Sequence, residues 1–454
     1  MSPRHATPGY QGTARTRAAS PAGTPAALVG DSTGPGRGPG HARHLRGHRV
    51  ARVVGMTLTA VLAFGAAGAA TAAMQLTGNI KKVDATKVLA DAGVARPKPF
   101  QPTDPNAGKP LNILLMGTDT RNGDNGNFAS SEGTGGARSD TTIIMHISGD
   151  RSRVDMVSIP RDSTVQIPSC VTANGKKTVP WKTKFNAAFS QGFAKGGDIQ
   201  SAALCTQQTV EKLTNVFIDG FAVVDFAGFA NMIDALGGVP MCIPEKIDAP
   251  EAGNLHLNPG NQVLNGGTAL QFARARHGVG DGSDIQRIQR QQELLAAVAR
   301  EVLGENLLTD SPKLLSFLGA LTHSLTMTSN LSSVTGLAGL AYSLRNVRPD
   351  TITFMTVPWV PDPSNSANVV WKSSAQDIWD NLNADRPITT PEAPAAPAAT
   401  PAATPATTPT AAASTPAAGT AASTPAAPTP TPGKTVDPTK GTPFTGADTT
   451  AVCG

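Results

Sequence analysis

Apolar positions along the chain follow two rhythms. Leu111–Gly117 (LNILLMG) is a short, unbroken apolar run closed by glycine, which predicts a buried strand. Thr141–Ser148 (TTIIMHIS) and Arg153–Pro160 (RVDMVSIP) are β-branched runs separated by Gly149-Asp150-Arg151-Ser152, which predicts a hairpin. Asn215–Asp225 predicts a strand bent at Gly220, and Thr351–Val357 another strand. Helical spacing marks Ser201–Leu213 and Phe226–Leu236; the latter has apolar Phe226, Phe229, Met232, Ile233 and Leu236 and a Gly237-Gly238 stop. Ser283 is placed to N-cap a helix with Ile285, Ile288, Leu295, Val298 and Val302 on one face. Leu314–Leu344 predicts further helix and Val369–Leu382 a closing helix. This alternation predicts an α/β (α+β) domain, a mixed central sheet flanked by helices.

The flanks of that domain have other compositions. Residues 1–52 are rich in Gly, Pro, Arg and His and hold eight Arg and one acid, a net of +7; the whole chain carries +5, so the remainder carries −2. That balance excludes a basic nucleic-acid-binding domain after residue 52. Residues 53–76 (VVGMTLTAVLAFGAAGAATAAMQL) are uncharged and about the ~20 residues needed to cross a bilayer. The Arg-rich flank before them puts the N-terminus in the cytoplasm. Small residues at Ala70–Ala73 also suit a signal peptidase, the alternative to a retained anchor. The expected organisation is a basic disordered cytoplasmic arm (1–52), a single transmembrane helix (53–76), an extracytoplasmic linker (77–107), a catalytic domain (108–384) and a Pro/Ala/Thr-rich disordered tail (385–454). Of the cysteines, Cys170, Cys205 and Cys242 lie in the foldable part and Cys453 in the tail. None has metal or CxxC spacing, and one disulfide is expected among the first three, in a pairing the sequence leaves open.

The candidate chemistry is cationic. Ala269–Gln292 packs Arg274, Arg276, Arg287, Arg290, Gln291 and Gln292 into one turn-and-helix unit. Guanidinium forks hold phosphate or carboxylate oxygens in fixed orientation, and a helix N-terminus adds to the attraction for anions. If the hairpin turns at Gly149–Asp150, Thr141 and Pro160 meet at its far end, making Asp140 a neighbour of Arg161. An antiparallel preceding strand brings Asp119 and Arg121 to the same end, beside the long Thr118–Gly136 loop. A structural Asp140–Arg161 salt bridge, a solvated basic face on the helix and ordinary core packing of the Phe226–Leu236 stripe are the plainer readings. His277, a lone histidine, reads as structural.

In order along the chain, LLMGTDTR, RSDT, SIPRD, KFNAAF, VVDFAGFANMIDALGGV and ALQFARARHGVGDGSDIQRIQRQQ resemble the LytR–CpsA–Psr family of cell-envelope proteins in its actinobacterial form, across a motif core of 111–303. The resemblance implies transfer of a glycopolymer from a polyprenyl-pyrophosphate carrier to peptidoglycan, on a mixed sheet with a hydrophobic lipid pocket. It implies an extracytoplasmic enzyme at the cell membrane, assisted by Mg2+ or another divalent metal. By motif match, Arg138, Arg161, Arg274 and Arg276 would be catalytic. Arg121, Arg287, Arg290 and Gln291 would bind substrate, Asp119 and Asp140 would hold the metal, and Asp162 would support them. Two carboxylates with phosphate oxygens and water suit magnesium. A pyrophosphatase using the same site and a non-catalytic wall-binding or regulatory protein are the alternatives.

Overall fold

The computed structural model describes residues 71, 74, 78, 80–97, 108–118, 137–276, 278–279, 282–304, 316–320, 322, 325–389 and 442–448. All belong to the compact unit Ala67–Gly454. The arm 1–52 lies outside the described residues, as does the 53–76 segment apart from Thr71 and Met74. Among the described residues no helix is long and apolar enough to cross a membrane.

In chain order the strands are β1 (Lys81–Val83), β2 (Leu111–Thr118), β3 (Ser139–Ile147), β4 (Val154–Ser158), β5 (Thr164–Ile167), β6 (Trp181–Lys184), β7 (Gly220–Asp225), β8 (Val239–Ile243) and β9 (Ile247–Ala249). They continue with β10 (Leu255–Leu257), β11 (Gly260–Leu264), β12 (Leu325–Thr328), β13 (Ile352–Thr356), β14 (Trp359–Asp362), β15 (Asn365–Trp371) and β16 (Phe444–Thr445). The helices are α1 (Ala85–Asp91), α2 (Ala187–Gly196), α3 (Ile199–Thr214), α4 (Phe226–Ala235), α5 (Gly266–Arg274), α6 (Asp284–Leu303), α7 (Val334–Ser343) and α8 (Ala375–Asn383).

Eight strands form a mixed sheet in the order β1-β12-β7-β2-β3-β4-β13-β16. β2 runs parallel to β7, and β4 parallel to β13, while β3 is antiparallel to both β2 and β4. The carboxyl ends of β2, β7, β4 and β13 therefore share one edge with the start of β3. In open α/β sheets that edge is where ligands bind.

The unbroken apolar runs follow from burial on both faces. On β2, Leu114 and Met116 join a core with Ile144, Val157, Phe189 and Trp379, while Leu111 and Ile113 join a second core with Ile143, Met156 and Phe354. A third cluster beside the sheet unites Ile233, Leu236, Val239, Leu264, Phe272 and Leu294 from α4, α5, α6 and the β8/β11 pair. In the Phe226–Leu236 stripe, Ile233 and Leu236 are thus core, with Phe229 and Met232 partly buried against them. Gly266 is required where α5 meets α4, because a Cβ there would collide with the Ala230 carbonyl. Cys170 pairs with Cys205, tying the segment after β5 to α3.

The predicted domain boundaries move at both ends. Within the expected 77–107 linker, β1 pairs with β12 and α1 is capped by Asp84. Within the expected 385–454 tail, Asp385 accepts from Gly149 N at 2.8 Å and from Arg153 Nη2 at 3.1 Å, and contacts His146 Nε2 at 3.1 Å. Further on, Phe444 and Thr445 add a strand to β13. Two helix predictions also change. Leu325–Thr328, inside the 314–344 stretch, is β12, and Asn365–Trp371 is β15, with helix starting only at Ala375. Short buried runs do not distinguish strand from helix by periodicity, and pairing partners decide.

Candidate active site

The shared edge of the sheet gathers charge. The β2–β3 register shifts there: Gly117 pairs with Thr141 and Thr118 with Ser139, leaving Asp140 as the extra residue of a β-bulge. A bulge re-aims a side chain at the end of a ladder. Asp140 Oδ1 accepts from Arg161 Nη1 at 2.5 Å, so the hairpin geometry predicted from sequence is present. Arg161 Nε also lies 3.1 Å from Asp284 Oδ1 and 3.6 Å from Asp162 Oδ2. Asp162 is further held by Lys184 Nζ at 2.8 Å.

α6 closes the site from above. Ser283 caps it, its hydroxyl accepting from Gln286 N. Arg287 is buried near the helix start, donating to Asp284 Oδ1 at 2.5 Å and to the Asp140 carbonyl at 3.2 Å. Gln291 accepts from Thr141 Oγ1 at 2.9 Å and donates to the Ala273 carbonyl at 3.2 Å. Gln292 donates to Ser158 Oγ at 2.7 Å, docking the helix on the end of β4. Arg290 is buried and donates to the Ala275 carbonyl, which ties α6 to the residue that ends α5.

The two arginines of the α5–α6 turn diverge. Arg276 acts electrostatically on both Asp140 and Asp284. Arg274 places its guanidinium 4.4 Å from the centre of the Phe226 ring, at the carboxyl end of β7. Cation–π stacking of this kind holds a guanidinium in one orientation. Arg138 is exposed just before β3. Asp119, Arg121 and His277 lie outside the described residues.

The electrostatics are those of a cationic cradle with captive carboxylates. Burial pushes the Asp140 carboxyl up, but Arg287, Arg161 and Arg276 outweigh it and hold the group below the usual carboxylate range. Burial dominates at Asp284 and, despite Arg287 and Arg161, raises it. Arg161 is held above its ordinary value: burial opposes the charge, and Asp140, Asp284 and Asp162 together overcome it. Among the described residues, buried Arg287 Nε, Asp284 Oδ2 and Thr118 Oγ1 make no hydrogen bond. Of these, the Arg287 Nε–H is a donor, and a donor without a partner fits a ligand oxygen. Asp284 and Thr141 were not singled out as site residues by sequence; the N-terminal turn of the helix after Ser283 was the signal for the first.

For a metal, Asp140 supplies one ionised carboxylate beside the cradle, and magnesium takes one or two carboxylates plus phosphate oxygens. Asp119, the other acid expected, lies outside the described residues, so the described site offers one carboxylate, which suits a hard cation only in company with the oxygens of a phosphorylated ligand. Among the described residues there is no group of three His, Cys, Asp or Glu side chains able to hold a metal without such a ligand.

A family model described as the LytR_cpsA_psr family matches residues 73–386. Relatives include the cell wall biosynthesis protein LcpA of Corynebacterium glutamicum, 29% identical over 261 residues, covering 54% of this chain and 49% of that protein. The polyisoprenyl-teichoic acid–peptidoglycan teichoic acid transferase TagV of Bacillus subtilis is 34% identical over 194 residues, covering 42% and 43%. The chain spans about half the length of these relatives. Among solved structures, a LytR-Csp2A-Psr enzyme from Actinomyces oris is 21% identical with a TM-score of 0.45, covering 67% of this chain and 96% of that one.

Proposed function

Because the chain belongs to the LytR–CpsA–Psr family, we propose that it is a membrane-anchored phosphotransferase that moves a glycopolymer from a polyprenyl-pyrophosphate carrier to peptidoglycan. The names of its relatives, a cell wall biosynthesis protein and a teichoic acid transferase, support that reading. The observation that carries it is the convergence of Arg161, Arg276 and Arg287 around Asp140 at the carboxyl ends of the parallel strands.

In the proposed reaction a wall-sugar hydroxyl attacks the phosphorus bonded to the glycan. The bond from that phosphorus to the bridging oxygen breaks, polyprenyl phosphate leaves, and a phosphodiester remains. The hydroxyl proton passes to a base that the site residues do not identify. Arg161 and Arg287 would neutralise non-bridging oxygens, exchanging part of their contact with Asp140 and Asp284 for phosphate. Arg276 would add charge from the side, and Arg274, steadied by Phe226, would orient the far phosphate. Fixed donors aimed at developing charge are the main source of catalysis in such transfers. Asp140 and Asp119 would hold a divalent metal against the same oxygens, where it supplies further charge neutralisation. We place the catalytic domain outside the membrane.

The test is a transfer assay with the full chain in detergent, a polyprenyl-pyrophosphate oligosaccharide, peptidoglycan fragments and magnesium, read by mass spectrometry. Glycan joined to peptidoglycan through one phosphate is the expected product. Free glycan phosphate without conjugate identifies a pyrophosphatase instead. Binding without turnover identifies a wall-binding protein.

A further inference from the structure

Between Ser163 and Gly197 the sequence holds five lysines and no acid, a net of +5 in a chain whose residues after 52 sum to −2. Most of that charge sits on one hairpin. β5 and β6 pair antiparallel from Thr164↔Lys184 to Ile167↔Trp181, and the loop between them carries Lys176 and Lys177. Lys184 is bonded to Asp162 at 2.8 Å, and Lys182 acts electrostatically on the buried Asp362. Lys176 and Lys177 are exposed and take part in no ion pair among the described residues.

The same hairpin displays apolar groups. Val179 is 75% exposed and Trp181 54%, with exposed Pro180 between them. The loop beneath them is braced. Val171 bridges to Lys177, Thr178 N donates to the Cys170 carbonyl at 2.9 Å, and Cys170 N donates to Thr178 Oγ1 at 2.9 Å. Asn174 Nδ2 donates to the Gly196 carbonyl at 3.0 Å, and the Cys170–Cys205 bond fastens the base of the loop to α3. Single exposed apolar side chains are ordinary. Adjacent ones on a braced loop, flanked by lysines, match a bilayer interface. There tryptophan sits at headgroup depth, and lysine buries its stem while its ammonium reaches anionic headgroups. The uncharged stretch 53–76 of the same chain gives a separate reason to expect a bilayer within reach.

The hairpin also leads into the cradle. Lys184 lies three residues beyond Trp181, a rise of ~10 Å along a strand. Phe185 N then donates to the Ser163 carbonyl at 2.8 Å and Asn186 N to the Arg161 carbonyl at 3.1 Å. The exposed tip and Arg161 thus belong to one hydrogen-bonded unit.

We propose that the β5–β6 hairpin docks the domain on a membrane: Val179, Pro180 and Trp181 enter the interface of a bilayer whose anionic headgroups bind Lys176, Lys177 and Lys182. An anionic glycan would satisfy the lysines and stack on Trp181, but it offers no partner to Val179. Docking in this way holds the Arg161 end of the hairpin near headgroup level, where a lipid-linked pyrophosphate is presented. That consequence rests on the proposed transfer reaction; the docking itself does not.

The test uses the full chain reconstituted into vesicles of phosphatidylcholine and phosphatidylglycerol with brominated acyl chains, which quench indole fluorescence on contact. Trp181 is one of four tryptophans, so its emission is read as the difference between wild type and Trp181→Phe. It should lose most of its intensity in these vesicles, keep it in pure phosphatidylcholine, and regain it in high salt, which screens the lysines. Combining Lys176→Gln, Lys177→Gln and Lys182→Gln should abolish the quenching with circular dichroism unchanged. The wild-type salt series keeps the test valid should that variant misfold. Unquenched Trp181 in anionic vesicles, or equal quenching in neutral ones, would overturn the proposal. A change in Trp181 emission on adding soluble poly(glycerol phosphate), without quenching by bromine, would make the hairpin a glycan-binding surface instead. The triple variant should also transfer at the wild-type rate in detergent and several-fold more slowly from a donor embedded in vesicles. Absence of transfer by wild type in detergent would remove the transfer reaction and leave the quenching result standing.

Discussion

Gln292 Nε2 lies 2.7 Å from Ser158 Oγ, joining the middle of α6 to the last residue of β4. The same amide reaches Thr356 Oγ1 at 3.2 Å, so one side chain registers the helix against two adjacent parallel strands. Five residues before it on α6 is Arg287, and Arg161 follows β4 by three residues. The bond therefore sets the distance between two halves of the cradle. Gln292→Leu leaves two buried hydroxyls short of a donor, at a cost of ~1–3 kcal/mol in stability. We expect a lower unfolding midpoint and at least a tenfold loss of transfer. A variant with unchanged turnover would show that the docking of α6 does not matter to the chemistry.

Arg276→Ala and Arg274→Ala should each reduce transfer by ~10²–10³-fold, the scale seen when one fixed donor to a developing charge is removed. Neither arginine is fully buried, so the fold should survive, as circular dichroism would report. Arg276 acts on the cluster through charge, whereas the Arg274 guanidinium lies over the Phe226 ring. Lysine should therefore restore more activity at 276 than at 274. Wild-type rates in either alanine variant would remove that residue from the site.

Excess chelator should abolish transfer, with activity returning on added magnesium. Asp140→Asn should raise the magnesium concentration needed for half-maximal activity. Asp140 is held below the usual carboxylate range, so its stabilising pairing is present above the unfolded-state value of ~3.8 and lost as pH falls through the lower folded value. Within the working range of the enzyme it stays ionised. Full activity in chelator would dispose of the metal.

Asp155 should make stability depend on pH with the opposite sign. The residue is fully buried on β4, and burial pushes its carboxyl up to about 6, with Arg153 only partly offsetting this. Its folded value exceeds the unfolded one, so between ~4 and 6 the folded chain binds more protons. This contribution to stability is present below ~4 and is lost as pH rises through 6. A shift of that size corresponds to ~2–3 kcal/mol. Asp155→Asn should flatten the pH dependence of the unfolding midpoint across that window. An identical slope in wild type and variant would contradict the assignment.

Breaking the Cys170–Cys205 bond with serine at both positions should cost ~4 kcal/mol, the value for closing a loop of 35 residues in the chain-entropy account. Thermal melts of the variant beside the oxidised wild type would measure it. Coincidence of the variant with the oxidised protein would mean that α2 and α3 hold that region unaided.

The sequence by itself determined the elements with a strong period and the residues that had to meet. The β3–β4 hairpin follows from two β-branched runs and a four-residue turn, and that turn alone places Asp140 beside Arg161. The Ser283 cap and the bunching of Arg276, Arg287 and Gln291 were also local facts. What remained were relations between distant segments. A four-residue run such as Leu325–Thr328 carries no period and becomes a strand only because β7 and β1 supply partners. Arg290 and Arg287 share one helical face, yet only the fold of the preceding turn directs Arg290 to a carbonyl. The bulge at Asp140 and the return of Phe444 to the sheet edge likewise depend on a partner strand. Local pattern fixes which side chains are available; the burial of two sheet faces and the pairing of remote strands decide which of them converge.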